Sequence, residues 1–434
     1  MSAQKPVSLN LNVRGLGQSP TLAIKERCRT LTHGGNNVYD FGLGQSPFPV
    51  PTPVVEALRL AASEKDYLPV KGLPALRAAV ADFHRQKDHV DSHPDRVIVG
   101  PGSKELMFIL QIVYYGEILI PTPCWVSYIP QARIIGRRIS LVPTHFQDRW
   151  KLTPAELLKS IEIVNDDYRP RLLVLNYPSN PTGLTYTADE LAAIAEIARK
   201  YQIIVLSDEI YGQLHHRGEH VSIGRFYPEG TILSAGLSKW CGAGGWRLGT
   251  FVFPPDLDWL CDAMAAVASE TYTAVSAPIQ YAAVRAFRGG VEIERYLWHA
   301  RRILAALGNR CTRTLQEQGV LVHGPEGAFY LFVDFSPFRE KLAHRGIHNG
   351  VELCERVLAE TGVAFLPGSA FARSRGELTA RLAYVDFDGA AALAASENIP
   401  LEHELPADFP DRWCENVILG KQRLAAWLQE QVEG

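Results

Sequence analysis

Ala235-Gly236-Leu237-Ser238-Lys239-Trp240-Cys241-Gly242-Ala243-Gly244-Gly245-Trp246-Arg247-Leu248-Gly249 is the stretch that decides the fold. It follows a short apolar run, Thr231-Ile232-Leu233-Ser234, that reads as a buried strand, so Lys239 emerges just beyond a strand end. A lysine amine there can form a Schiff base with a carbonyl. Arg247, eight residues on among small residues, offers a planar fork suited to a phosphate.

Working outward, Leu172-Leu173-Val174-Leu175 is a buried strand that ends in Asn176-Tyr177-Pro178-Ser179-Asn180-Pro181-Thr182-Gly183. Thr187 and Glu190 form a capping box for a helix that carries Leu191, Ile194, Ala195 and Ala198 at helical spacing. Ile203-Ile204-Val205-Leu206 returns as a strand and runs into Asp208-Glu209-Ile210-Tyr211. This is a βαβ unit, right-handed by the general rule, so Asn180 and Asp208 both lie beyond the carboxyl ends of parallel strands. Open α/β sheets bind ligands at that edge. Val97-Ile98-Val99, the turn Gly100-Pro101-Gly102-Ser103 and a helix from Lys104 to about Val113 make a phosphate cradle, in which free amides and the positive end of a helix dipole face an anion.

The lysine and arginine together describe an anchor for pyridoxal 5'-phosphate, and their segment resembles the lysine motif of the class I and II aminotransferases, fold-type I pyridoxal phosphate enzymes. The resemblance continues, in the family's order, from Asp40 to Arg381. It implies an α/β protein with a large domain built on a mainly parallel sheet of the seven-stranded type and a smaller α+β domain. The expected division is an N-terminal arm and part of the small domain at 1–50, the large domain at 51–295 and the small domain at 296–434, with an acidic, proline-rich surface insertion at about 388–415.

By the same resemblance Lys239 is the cofactor lysine, Asp208 faces the pyridine nitrogen, and Asn180 and Tyr211 donate to the ring oxygen. Trp125 stacks on the ring, and Ser103, Lys104, Ser238 and Arg247 hold the phosphate. Where many members carry a serine three residues before the lysine, this chain has Gly236, so that hydroxyl falls to Ser234 or Ser238. Tyr67 would reach the phosphate of a neighbouring subunit, which implies a homodimer. Gly44 would close over the substrate carboxylate, and Arg381, in a strand, would pair with it, unless an internal acid such as Asp386 claims the arginine. Lys104 stands where some aspartate-specific relatives place a lysine toward the distal carboxylate. The implied reaction moves an amino group from an α-amino acid to a 2-oxo acid. Lyase, oxidase or carbon–carbon bond-forming chemistry on the same cofactor stays open as an alternative.

Composition reads as that of an ordinary soluble globular protein: 434 residues, 47% apolar, 21% charged, formal charge −3. No global charge bias favours nucleic acid or anionic lipid, and no run approaches a membrane span. Seven scattered cysteines with no Cys-x-x-Cys pair point to a reducing, cytoplasmic setting, as does an N-terminus without the apolar core of a signal peptide. His215-His216 read as surface histidines, and no metal site is expected. A ligand-sensing module on this fold is the non-enzyme alternative, but the 39 residues before Asp40 are too few and too neutral for a DNA-binding domain.

Overall fold

The computed structural model describes residues 8–163, 166 and 169–433, so the opening Met1 to Pro6, read above for a leader, lies outside the described residues. The strands are β1 Tyr39–Asp40, β2 Val97–Gly100, β3 Glu117–Thr122, β4 Ile139–Pro143, β5 Arg171–Asn176, β6 Ile204–Asp208, β7 Thr231–Gly236, β8 Gly249–Val252, β9 Leu321–Val322, β10 Tyr330–Asp334, β11 Val363–Ala364, β12 Leu366–Pro367 and β13 Thr379–Ala383.

Seven of them form one sheet in the order β2-β8-β7-β6-β5-β3-β4, parallel except for β8, which runs against both neighbours. Its central strands are continuous apolar runs because helices cover both faces, as parallel sheets require. Alternation sorts the side chains. Leu172, Val174, Ile204, Leu206, Ile232 and Phe251 join Leu106, Met107, Leu110, Leu260 and Met264 of helices Ser103–Val113 and Asp258–Ser269. Leu173, Leu175 and Val205 point the other way, onto Leu191 and Ile194 of helix Ala188–Lys200. Each such fully buried side chain contributes about 1.5–3 kcal/mol. The capping box expected at Thr187 and Glu190 is formed, and Lys151 adds Nζ contacts of 2.6 and 2.8 Å to the Glu190 carboxylate.

Register brings the strand ends together. Asn176 lies opposite Asp208, and Asp208 opposite Ser234, so three adjacent parallel strands finish side by side. A single long helix spans Val291–Glu317. Beyond it an antiparallel sheet, β12-β13-β10-β9, places Arg381 of β13 opposite Phe332 of β10. The early strand β1 pairs in parallel with β11, tying residues 39–40 to this second unit.

Residues 388–415 contain helix Gly389–Glu397, whose N-cap Asp388 accepts from the Ala390 and Ala391 amides, and helix Phe409–Trp413. Ala392, Leu393, Ser396 and Phe409 are buried, and Arg302 of the long helix donates to the carbonyls of Ile399, Pro400 and His403 at 2.7, 3.1 and 3.3 Å. These residues are packed, while 397–408 are mostly exposed. All seven cysteines are free and buried, and among the described residues no helix is long and apolar enough to cross a membrane.

Candidate active site

Lys239 follows β7 on a turn at the carboxyl edge of the large sheet, and its Nζ donates to the Gly44 carbonyl at 2.8 Å. The amine lies 5.5 Å from the centre of the Tyr211 ring and 5.9 Å from that of Phe329. Burial, then the positive charges of Arg381, Arg247 and Lys104, pull its pKa down to about 8, against the opposing pull of Asp208. A lysine held there is a usable nucleophile near neutral pH.

Asp208, the last residue of β6, is buried, and its Oδ2 accepts from the Tyr128 hydroxyl at 2.5 Å. Burial raises its pKa to about 6, while the bonds from Tyr128, the Ile210 amide and Ser234 pull the other way. Ser234 Oγ is 3.5 Å from Asp208 Oδ1. Its hydroxyl is thus turned to the aspartate, leaving Ser238 as the half-buried serine of the lysine turn.

Asn180 follows β5 in a turn held by its own amide, which donates to Asn176 Oδ1 at 2.8 Å. Its Oδ1 accepts from Arg381 Nη1 at 3.1 Å. Arg381 also donates through Nη2 to the Gly42 carbonyl, and its guanidinium lies 4.9 Å from the ring centres of both Tyr330 and Phe371. It is 1% exposed, and its buried Nε has no hydrogen-bonding partner among the described residues. Asp386 does not claim it, since Asp386 Oδ2 accepts the Asp40 amide at 3.0 Å. A buried guanidinium without a carboxylate is expensive to keep, which makes the space beside it a candidate anion site.

A second candidate anion site is the turn before helix Ser103–Val113. Gly102 at φ 90° begins the helix, and a Cβ there would come 2.3 Å from Arg247 Nη2. Gly249 must also be bare, because its Cβ would lie 2.1 Å from the Ser103 amide nitrogen. Arg247, itself at φ 56°, reaches over this cradle and donates to the carbonyls of Gly244 at 3.0 Å and Pro101 at 3.3 Å. Lys104 is exposed at the rim with Nζ 5.0 Å from the centre of the Trp125 ring. Partial enclosure and then the Arg247 charge lower its pKa. Trp125 is half-buried and meets Tyr128 edge-on at 5.3 Å.

Of the expected residues, Tyr67 is 92% exposed. Two residues were not foreseen. Tyr128 lies three residues after Trp125, a helical spacing that carries the signal. Tyr330, in β10, hydrogen-bonds the Tyr211 hydroxyl at 2.7 Å and fills the space a Cβ at Gly44 would need, at 2.0 Å from its own hydroxyl. Its partners are remote in sequence, so nothing local announces it. His215 and His216 are not surface histidines. His215 is buried and its Nδ1 accepts the Arg217 and Glu219 amides at 3.3 Å, while His216 bonds the backbone of Glu326 and Ala328.

The chain is similar to known proteins over most of its length. An aspartate aminotransferase of Geobacillus stearothermophilus is 34% identical over 374 residues, covering 84% of this chain and 92% of the relative. An aspartate/prephenate aminotransferase of Thermus thermophilus is 32% identical over 375 residues, with 84% and 91% covered. Among solved structures, the aspartate aminotransferase from Thermus thermophilus with maleate superposes with a TM-score of 0.82 at 28% identity, covering 97% of this chain and all of that one. The aminotransferase class I and II family model matches residues 36–385, which include both candidate anion sites and Lys239, and the chain belongs to that family.

Proposed function

We propose that this aminotransferase holds pyridoxal 5'-phosphate on Lys239 and takes its amino group from an acidic α-amino acid. The single observation that carries the reading is the lysine amine of lowered pKa set between a phosphate-sized cradle and a buried arginine with no carboxylate partner among the described residues. The residues fit the cofactor: the cradle is open only because Gly102 and Gly249 lack side chains, and Arg247 covers it. When bound, the cofactor supplies an electron sink for the carbanion formed at the substrate Cα.

The chain does the rest. The Ser103 and Lys104 amides, Ser238 and Arg247 would hold the phosphate. Asp208, kept in place by Tyr128, would hold a proton on the pyridine nitrogen, and Asn180 and Tyr211 would donate to the ring oxygen. Trp125 would cover one ring face and exclude water. Arg381 would take the α-carboxylate as a two-pronged partner, with Gly44 closing over it. Lys239, once free, would move the proton between substrate Cα and the cofactor's C4′.

Lys104 supports an acidic donor, because its ammonium sits at the rim beside Trp125, within reach of a distal carboxylate. The names of the relatives, and the maleate in one similar structure, support the same substrate class. Exposed Tyr67 supports a homodimer in which it serves the partner's site, and seven free cysteines support a cytoplasmic setting. The test is a panel of amino acids added to purified enzyme with 2-oxo acids, following cofactor absorbance and product. Stoichiometric 2-oxo acid without ammonia, fastest with aspartate or glutamate, is the expected result, and ammonia release or a preference for neutral donors would reject the proposal.

A further inference from the structure

A second polar cluster begins one residue past Asp208, and transamination makes no use of it. His84 to Asp88 form a single π-helical turn, a rare geometry frequent at functional sites. The turn holds His84 Nδ1 and Asp88 Oδ2 2.6 Å apart. Opposite, His220 Nε2 and Glu209 Oε2 are 2.8 Å apart, while Glu209 Oε1 accepts from Ser207 and Ser222 at 2.6 Å and from Tyr177 at 3.3 Å. The four side chains are 1–5% exposed and line one cavity of about 10 Å³, room for one water-sized particle. A ring nitrogen of His220 and one carboxylate oxygen each from Asp88 and Glu209 lie within 4.8 Å of one another.

Hydrogen bonding inside the cluster does not close. His84 Nε2 and His220 Nδ1 are buried with no partner among the described residues. If the rings are charged, each leaves a buried N–H without an acceptor. If they are neutral and donate to their carboxylates, two buried negative charges stand together, with no Lys or Arg bonded to either carboxylate among the described residues. Arg225, the nearby base, spends its Nε on the Asp88 backbone carbonyl at 2.7 Å. A dication cancels both carboxylates, and one imidazole with two carboxylates is a donor set that suits zinc and its first-row neighbours.

We propose that Asp88, Glu209 and His220 bind a divalent first-row metal ion, for which Zn²⁺ is the probe. His84 donates to Asp88 through Nδ1 and fixes its orientation, and its Nε2 meets a water on the ion's remaining position. Bonds of about 2.0–2.2 Å need ligand atoms about 3.5 Å apart, which small side-chain rotations supply. The ion fastens the end of helix Pro74–Phe83 to the segment that leaves the sheet at Asp208, so its role is structural. The sequence hides such a set, since its ligands come from positions 88, 209 and 220 with no ligand spacing among them.

Holoenzyme dialysed against a chelator, re-equilibrated with Zn²⁺ and desalted should retain about one zinc per chain, and its unfolding midpoint should rise with Zn²⁺. Asp88→Asn and His220→Gln should each weaken zinc binding at least about tenfold, with far-UV circular dichroism unchanged. Zinc-soaked crystals of the wild type should give an anomalous peak within bonding distance of Asp88, Glu209 and His220, and this measurement decides even if a variant fails to fold. No retained zinc, zinc retained equally by folded variants, or a peak only elsewhere overturns the proposal.

Discussion

The hydroxyls of Tyr211 and Tyr330 meet at 2.7 Å, between a strand of the antiparallel sheet and the segment that follows Asp208. Tyr330 therefore aims the hydroxyl that Tyr211 would offer the cofactor ring. Tyr330→Phe keeps the ring packed against Arg381 and removes only this bond, about 0.5–1.5 kcal/mol. The expected outcome is a kcat lower by roughly two- to tenfold with KM nearly unchanged. A rise in KM at constant kcat would place Tyr330 with substrate binding instead.

Lys239 carries a pH signature. Its pKa falls on folding from 10.5 to about 8, so between those values the unfolded chain binds more protons than the folded one. The stability of cofactor-free protein should rise with pH across that window, with the benefit lost as pH falls toward 8. Over the same titration, covalent capture of pyridoxal 5'-phosphate should quicken up to about pH 8 and then level. Borohydride followed by peptide mapping should label Lys239, and Lys239→Ala should take up no label while keeping its circular dichroism.

Arg247 and Arg381 are separable. Arg247→Ala should lose cofactor on dialysis faster than wild type, because it opens the cradle at Gly102. Arg381→Ala should keep cofactor and raise KM for amino and oxo acids alike, by the cost of a carboxylate left unpaired, about 1.5–3 kcal/mol or more than tenfold. Spectroscopic cofactor content beside steady-state kinetics separates the two, and equal cofactor loss would refute the assignment.

Tyr67 tests the dimer. Inactive Tyr67→Phe and Lys239→Ala proteins, mixed under conditions of demonstrated subunit exchange, should recover activity from hybrids that hold one intact site. Continued inactivity would mean that Tyr67 serves no partner.

Lys104→Met should narrow the preference for aspartate over asparagine by about 1.5–3 kcal/mol in kcat/KM, the range of a charge-assisted contact. An unchanged ratio would free Lys104 of any part in selection.

Much of this site could be read from the chain because its chemistry follows strand ends. The apolar run 231–234 puts Lys239 at an edge, and the capping box at Thr187 marks the crossover that sets Asn180 and Asp208 beside each other. What escaped depends on distant partners. Tyr330 acts on Gly44, Tyr211 and Arg381, none of them near it in sequence. His215-His216 look polar and solvated until residues 326–328 cover them with backbone. Choosing Ser238 over Ser234 required knowing which way the last residues of β7 face.

The antiparallel β8, lodged between β2 and β7, makes the proposed phosphate cradle a long-range object. Gly249 touches the Ser103 amide only after β8 has inserted, so an emerging chain has no cradle until that strand has left the ribosome and found its place. Closing so large a loop is slow, and the cofactor can reward it only afterwards. Cofactor uptake during refolding would thus report completion of the large sheet rather than its nucleation.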